Sequence, residues 1–149
     1  MRLGFTGTRN GFTQEQRIKF QILLLNLEPV EFHHGDCQGS DAEAHDMVRF
    51  LMPSCVVHIH PPKVSVLRAW CAGDVMHREK DYLVRNSEIV AETEGMVAVP
   101  ETVREYHRSG TWSTVRKARL QKRPLFIILP GGTLIEENHV RHSQGGKPS

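Results

Sequence analysis

Cysteine is scarce in this chain of 149 residues: Cys37, Cys55 and Cys71 are the only three, with no CxxC pair. An odd count, together with a start ("MRLGFTGTRNG") that lacks the apolar core of an export signal, leads us to expect reduced thiols and a cytoplasmic location. Long apolar runs are also missing. "FIILP" is among the longest, far below the roughly 20 residues of a membrane span, so no membrane partner is expected. Net charge is small, with 19 Lys and Arg against 17 Asp and Glu. That balance gives no bulk attraction to nucleic acid or a membrane surface. Neither GxGxxG nor GxxxxGK[ST] occurs, which removes two common nucleotide signatures. Nine histidines are present, and His58 and His60 alternate on one face of a strand, with His33 and His34 adjacent. No HxxxH pair or Cys–His cluster completes a zinc ligand set, so no metal site is expected.

What is present is the ordinary mixture of a soluble domain, 39% hydrophobic and 24% charged. Short apolar runs at 2–7, 30–35, 55–60, 95–100 and 124–129 read as strands. Helical patterns lie between them. The first starts at Thr13, with Ile18, Ile22, Leu23 and Leu25 as its apolar stripe. The second carries Ser40 and Glu43 at capping-box spacing, with Ala44, Met47, Val48 and Leu51 facing the core. The third, over 81–93, turns Leu83, Ile89 and Val90 inward. Residues 63–80 read as a long loop anchored by Trp70, and the fourth helix follows Ser109. From about Glu136 the chain is polar and expected to be a disordered tail, leaving 1–135 as the domain. Alternating strands and helices predict an α/β fold. It is a Rossmann-like three-layer α/β/α sandwich around a mainly parallel sheet of five or more strands.

In such a sheet the ligand sits outside the carboxyl ends of the strands. Three loops must meet there: "TGTRNG" (6–11), "HGDCQGSD" (34–41) and "PETVREYHRSGTWST" (100–114). Glycine lets backbone approach a ligand, and helix starts hold anions on their free N–H groups. A phosphate-bearing ligand is the natural occupant. Its candidate contacts are Gly7, Thr8 and Arg9 in the first loop. The second loop supplies Gly35, Asp36, Gly39, Ser40 and Asp41, and the third Ser109, Gly110, Thr111 and Ser113. Arg85, with Asn86 beside it, offers a guanidinium fork for phosphate. Trp112 is placed to stack on a base, although Trp112, Val115 and Ala118 also fit one core-facing stripe. "RKARLQKR" (116–123) reads either as a nucleic-acid patch or as the solvated end of a helix.

The ordered set "GFTGTR", "HHGDCQGSD", "HIHPP", "YLVRNSEIV", "MVAVP", "RSGTWSTVRKA" and "RPLFIILPGG" resembles the SLOG superfamily over residues 2–132. That superfamily joins DNA-processing protein A to the Lonely Guy-like phosphoribohydrolases, and small stand-alone bacterial and phage members match best. The resemblance implies a nucleotide or ADP-ribose-like ligand, with no further cofactor. Self-association is implied too, as related domains commonly pair. Gly110 and Thr111 match the "GT" of the hydrolases' PGGxGTxxE motif, and Arg85 matches their arginine. Thr114 stands where they carry the catalytic glutamate. Glycosidic cleavage needs a carboxylate near an oxocarbenium-like centre, so an enzyme reading must recruit Asp36, Asp41 or Glu101. Without turnover, Asp36 or Asp41 would accept ribose hydroxyls. "RSGTWST" lies closer to the "SGS" of DNA-processing protein A, which binds single-stranded DNA. Ligand binding without turnover leads, followed by nucleoside-monophosphate N-glycosidase activity and then single-stranded nucleic-acid binding.

Overall fold

A computed structural model describes residues 1–139. In chain order it runs β1 (Arg2–Gly7), α1 (Gln14–Leu27), β2 (Glu31–His34), α2 (Ser40–Leu51), β3 (Val56–Ile59), β4 (Val75–Met76), α3 (Tyr82–Glu92), β5 (Gly95–Val99), α4 (Gly110–Leu120), β6 (Leu125–Ile128) and β7 (Leu134–Glu137). The strands form one seven-stranded sheet in the order β4-β3-β2-β1-β5-β6-β7. All pairs are parallel except β6–β7, where the sequence "PGG" turns an antiparallel hairpin. β7 runs on past residue 135, and the expected tail over 140–149 lies outside the described residues.

Period-two alternation splits the core into two layers. Val97 and Val99 of β5, with Phe126 and Ile128 of β6, join Leu3, Phe5, Phe20 and Val48 under α1 and α2. The alternate residues Met96, Ala98, Leu125 and Ile127 join Ile89, Trp112 and Val115 under α3 and α4. Among the described residues no helix is long and apolar enough to cross a membrane.

Four local expectations need correction. The buried stripe of α1 is Gln16, Phe20, Leu23 and Leu24, while Ile18 is 51% exposed and Ile22 and Leu25 also face outward. Gln16 is the reason: its Nε2 donates to the carbonyls of Pro100 (2.8 Å) and Ile128 (3.0 Å), at the ends of β5 and β6. Ser40 and Glu43 make no capping box. Gly39 is the N-cap, Ser40 turns to the first loop, and Glu43 accepts from Phe12 N and Arg17. Leu83 is exposed, since α3 buries Arg85, Asn86, Ile89 and Val90 instead. Trp70 is 63% exposed and lies against Arg68. The loop is anchored by Asp36, whose carboxylate accepts from Arg68 Nε and from the backbone N of Cys71, both at 2.9 Å.

Candidate functional site

The strand order reverses at β1, with β2 on one side and β5 on the other. The chain therefore leaves these strands in opposite directions and opens a crevice at their carboxyl ends. Thr8 N donates to Val99 O at 3.1 Å, tying the two ends together. Ser40 donates to Thr8 O from both its N (3.1 Å) and its Oγ (2.6 Å), which clamps the first loop to the start of α2.

The crevice has two connected parts. An inner hollow of about 30 Å³, room for one water, is walled by Gly35, Cys37, Asp41, Arg85 and Asn86. An outer hollow of about 310 Å³ lies between Thr8–Asn10 on one side and Tyr106 with Arg108–Thr111 on the other. Gly7, Arg9 and Tyr82 border both.

Arg85 is the centre of the inner part and is 2% exposed. Its Nη1 donates to the carbonyls of Gly35 (2.6 Å) and His60 (3.0 Å), and its Nε to Asn86 Oδ1 (2.9 Å). The Tyr82 ring lies 5.1 Å from its Cζ. No carboxylate among the described residues forms an ion pair with it. Its direct hydrogen-bond acceptors are neutral, and Asp41, which feels its charge from the same wall, lies outside ion-pair distance. Beside it, Asn86 Nδ2 is buried with no hydrogen-bond partner. An unpaired buried donor costs about 1–3 kcal/mol, so a site with one is incomplete without an acceptor.

The outer part ends on the N-terminus of α4. Ser109 caps it, accepting from Trp112 N at 3.1 Å. Glycine at 110 lets the Tyr82 hydroxyl lie against the helix start, where a Cβ would push the ring aside. The positive end of the helix dipole thus faces the hollow together with Arg9 and Arg108. Glu101 opposes them but accepts from Asn10 Nδ2.

Burial pushes the Asp41 carboxyl up from 3.8 to about 6, against the opposing pull of Arg85 and the Cys37 amide. The fold therefore holds this proton more tightly than the unfolded chain does. The stabilisation is complete at low pH and is lost as pH rises from about 4 to about 6. Two pH units correspond to about 3 kcal/mol. Asp41→Asn removes this slope, so the stability difference between variant and wild type should grow by about that amount between pH 4 and 7, read by urea unfolding. A constant difference would show that folding does not shift the Asp41 carboxyl.

No family model matches this chain, and no curated protein matches it in sequence. Solved structures match its fold. The structural-genomics protein TM1055 superposes with a TM-score of 0.57 over 84% of this chain and 72% of its own, at 13% identity. DNA processing protein A from Streptococcus pneumoniae gives a TM-score of 0.62 over 85% of this chain, at 18% identity. These likenesses show a shared Rossmann-like α/β fold. The match covers 49% of the DNA processing protein A chain, so this chain spans about half that length.

Within this Rossmann-like frame, the crevice gathers Gly7, Thr8, Arg9, Gly35, Asp41, Arg85, Asn86, Glu101, Ser109, Gly110 and Thr111. Other expected contacts lie elsewhere. Asp36 is fully buried and spent on Arg68 and Cys71. Ser40 and Gly39 hold the loops together behind the crevice, and Ser113 lies outside its lining. Trp112 is a core residue whose Nε1 donates to Thr102 Oγ1 at 3.1 Å. Thr114 is buried and bonds back to Gly110 O. Tyr82, Cys37, Tyr106 and Arg108 are additional wall residues. Tyr82 was readable from its position three residues before Arg85, one turn away on the same face. The run 116–123 is largely engaged: Arg119 pairs with Glu105 and Glu137, Arg116 with Glu105, and Arg123 donates to Val90 O.

Proposed function

We propose that the crevice binds a nucleotide-class ligand through its phosphate groups, as a sensor or sequestering protein. The observation that carries this is Arg85, a buried guanidinium that forms no ion pair among the described residues, next to the unpaired Nδ2 of Asn86. A phosphate oxygen supplies what both lack. The α4 N-terminus, Arg9 and Arg108 offer a second anionic position in the outer hollow, which suits a diphosphate such as that of ADP-ribose. Tyr82 and Tyr106 supply aromatic surface at the rim.

A second reading, N-glycosidic cleavage, draws on Asp41. It is a buried carboxyl raised to about 6, in the wall beside Arg85. Calorimetry and product chromatography with AMP, cyclic AMP and ADP-ribose separate the readings. Saturable binding with the ligand recovered intact supports sensing, and release of free adenine moves the assignment to hydrolysis. No binding to any nucleotide, and no ligand retained in native mass spectra of freshly purified protein, would overturn both.

A further inference from the structure

On the α3 face of the sheet, the aliphatic lining stops at β1. Beyond it histidines take over: His33 on β2, His58 on β3, His60 just after β3 and His77 just after β4. They form two stacked pairs, His33 on His58 (4.0 Å, 12°) and His60 on His77 (3.9 Å, 9°). Hydrogen bonds cross between the pairs, His33 Nδ1 to His60 Nε2 at 2.8 Å and His58 Nδ1 to His77 Nε2 at 2.9 Å. Carboxylates hold the outer nitrogens. His33 Nε2 lies 2.9 Å from Glu31, and His60 Nδ1 lies 2.6 Å from Glu88, which also takes Lys80.

The line Glu31–His33–His60–Glu88 contains three contacts, and each needs one N–H. Two neutral imidazoles carry two. The line is therefore one proton short unless a ring becomes a cation, and His33 and His60 are almost wholly buried, where a cation is disfavoured. A metal ion removes the shortfall. If it takes the lone pairs of His33 Nδ1 and His60 Nε2, both remaining N–H groups point at Glu31 and Glu88. Ligating histidines ordinarily have such a carboxylate behind them.

We propose that this cluster is a divalent transition-metal site, with His33 Nδ1, His60 Nε2 and His77 Nε2 as ligands and Glu92 completing the shell. One donor atom from each of these four residues lies within 4.8 Å of the others. Glu92 Oε1 is 3.8 Å from His77 Nε2. Three imidazoles and one carboxylate suit Zn²⁺ and its first-row neighbours rather than Mg²⁺ or Ca²⁺, which prefer all-oxygen shells. Binding requires two small movements. His33 and His60 open from 2.8 Å to the roughly 3.3 Å that tetrahedral bonds of about 2.0–2.1 Å impose. His77 swings out of its stack on His60 and gives up its bond to His58. His77 and Glu92 are the half-exposed members, so the rim that must move is also the side an ion enters.

Tag-free full-length protein, stripped with chelator, tests this. Zn²⁺ should bind at one equivalent and raise Tm by about 5–10 °C when free Zn²⁺ is about 100 times Kd. Co²⁺ should give the visible bands of a tetrahedral site. His77→Ala, at a half-exposed position that leaves the fold intact, should weaken Zn²⁺ by about 100-fold and abolish the bands, and Glu92→Gln should weaken it about tenfold. His45→Ala is the control. It disrupts a separate grouping, His34, His45 and Cys71, which shares no residue with the proposed site, and should leave binding unchanged. Absence of uptake at 100 µM (about the upper end of a specific site), or undiminished uptake in His77→Ala, as ligation by Glu31, His33 and His58 would give, would overturn the proposal.

Discussion

Arg85→Met should abolish nucleotide binding and lower stability by about 3 kcal/mol. The two effects have separate origins. Methionine fills the space of the arginine stem but offers no N–H. The carbonyls of Gly35 and His60, which now receive Nη1, are left unpaired in a buried place. Each such acceptor costs about 1–3 kcal/mol. Binding falls for a different reason. Charge-assisted hydrogen bonds contribute about 1.5–3 kcal/mol each, and loss of two removes at least about 100-fold in affinity. Arg85→Lys separates the effects. It keeps the charge without the planar fork, so it should bind detectably and still lose stability. Calorimetry with ADP-ribose and urea unfolding read the two quantities. Wild-type affinity in Arg85→Met would place the ligand outside the crevice.

Gly39→Ala should destabilise the fold by about 3–5 kcal/mol without touching any ligand. Gly39 caps α2 at φ 90° and ψ −125°, a conformation that side-chain-bearing residues scarcely adopt. The added Cβ would also fall on the backbone of Arg9, and main chain cannot swing aside as a side chain can. Relief requires the first loop to lift away from α2, breaking the paired bonds from Ser40 to Thr8 O. Arg9 borders both hollows, so the crevice loses its wall together with its stability. A loss below about 1 kcal/mol in urea unfolding would mean that the two loops are not clamped.

The crevice was legible in the sequence because it follows from order alone. Alternating short apolar runs and helices force a parallel sheet, and a parallel sheet brings its carboxyl-terminal loops to one edge. Positions 7–9, 35, 41 and 109–111 needed nothing further, whereas 85–86, inside α3, came from the fit of a guanidinium to phosphate and from the family resemblance. Side-chain orientation was less accessible. α1 is apolar on two sides, and a glutamine marks the buried one because it serves strand ends far away in sequence. Asp36 sits among ligand-like neighbours, yet Arg68 and Cys71, more than 30 residues later, claim its carboxylate. The histidines show the same limit. The alternation of His58 and His60 is local, but His33 and His77 join them only through strand pairing.

The position of β1 has a consequence for how the protein is made. Leu3 pairs with Glu31's neighbour Phe32 on one side and with Gly95 on the other. A nascent chain can close the first edge early, but the second stays open until residues 95–99 have left the ribosome. During that interval β1 presents an unpaired, apolar edge of the kind that recruits other strands. A chain that ends before residue 95 therefore has one half of the crevice and an open edge on β1.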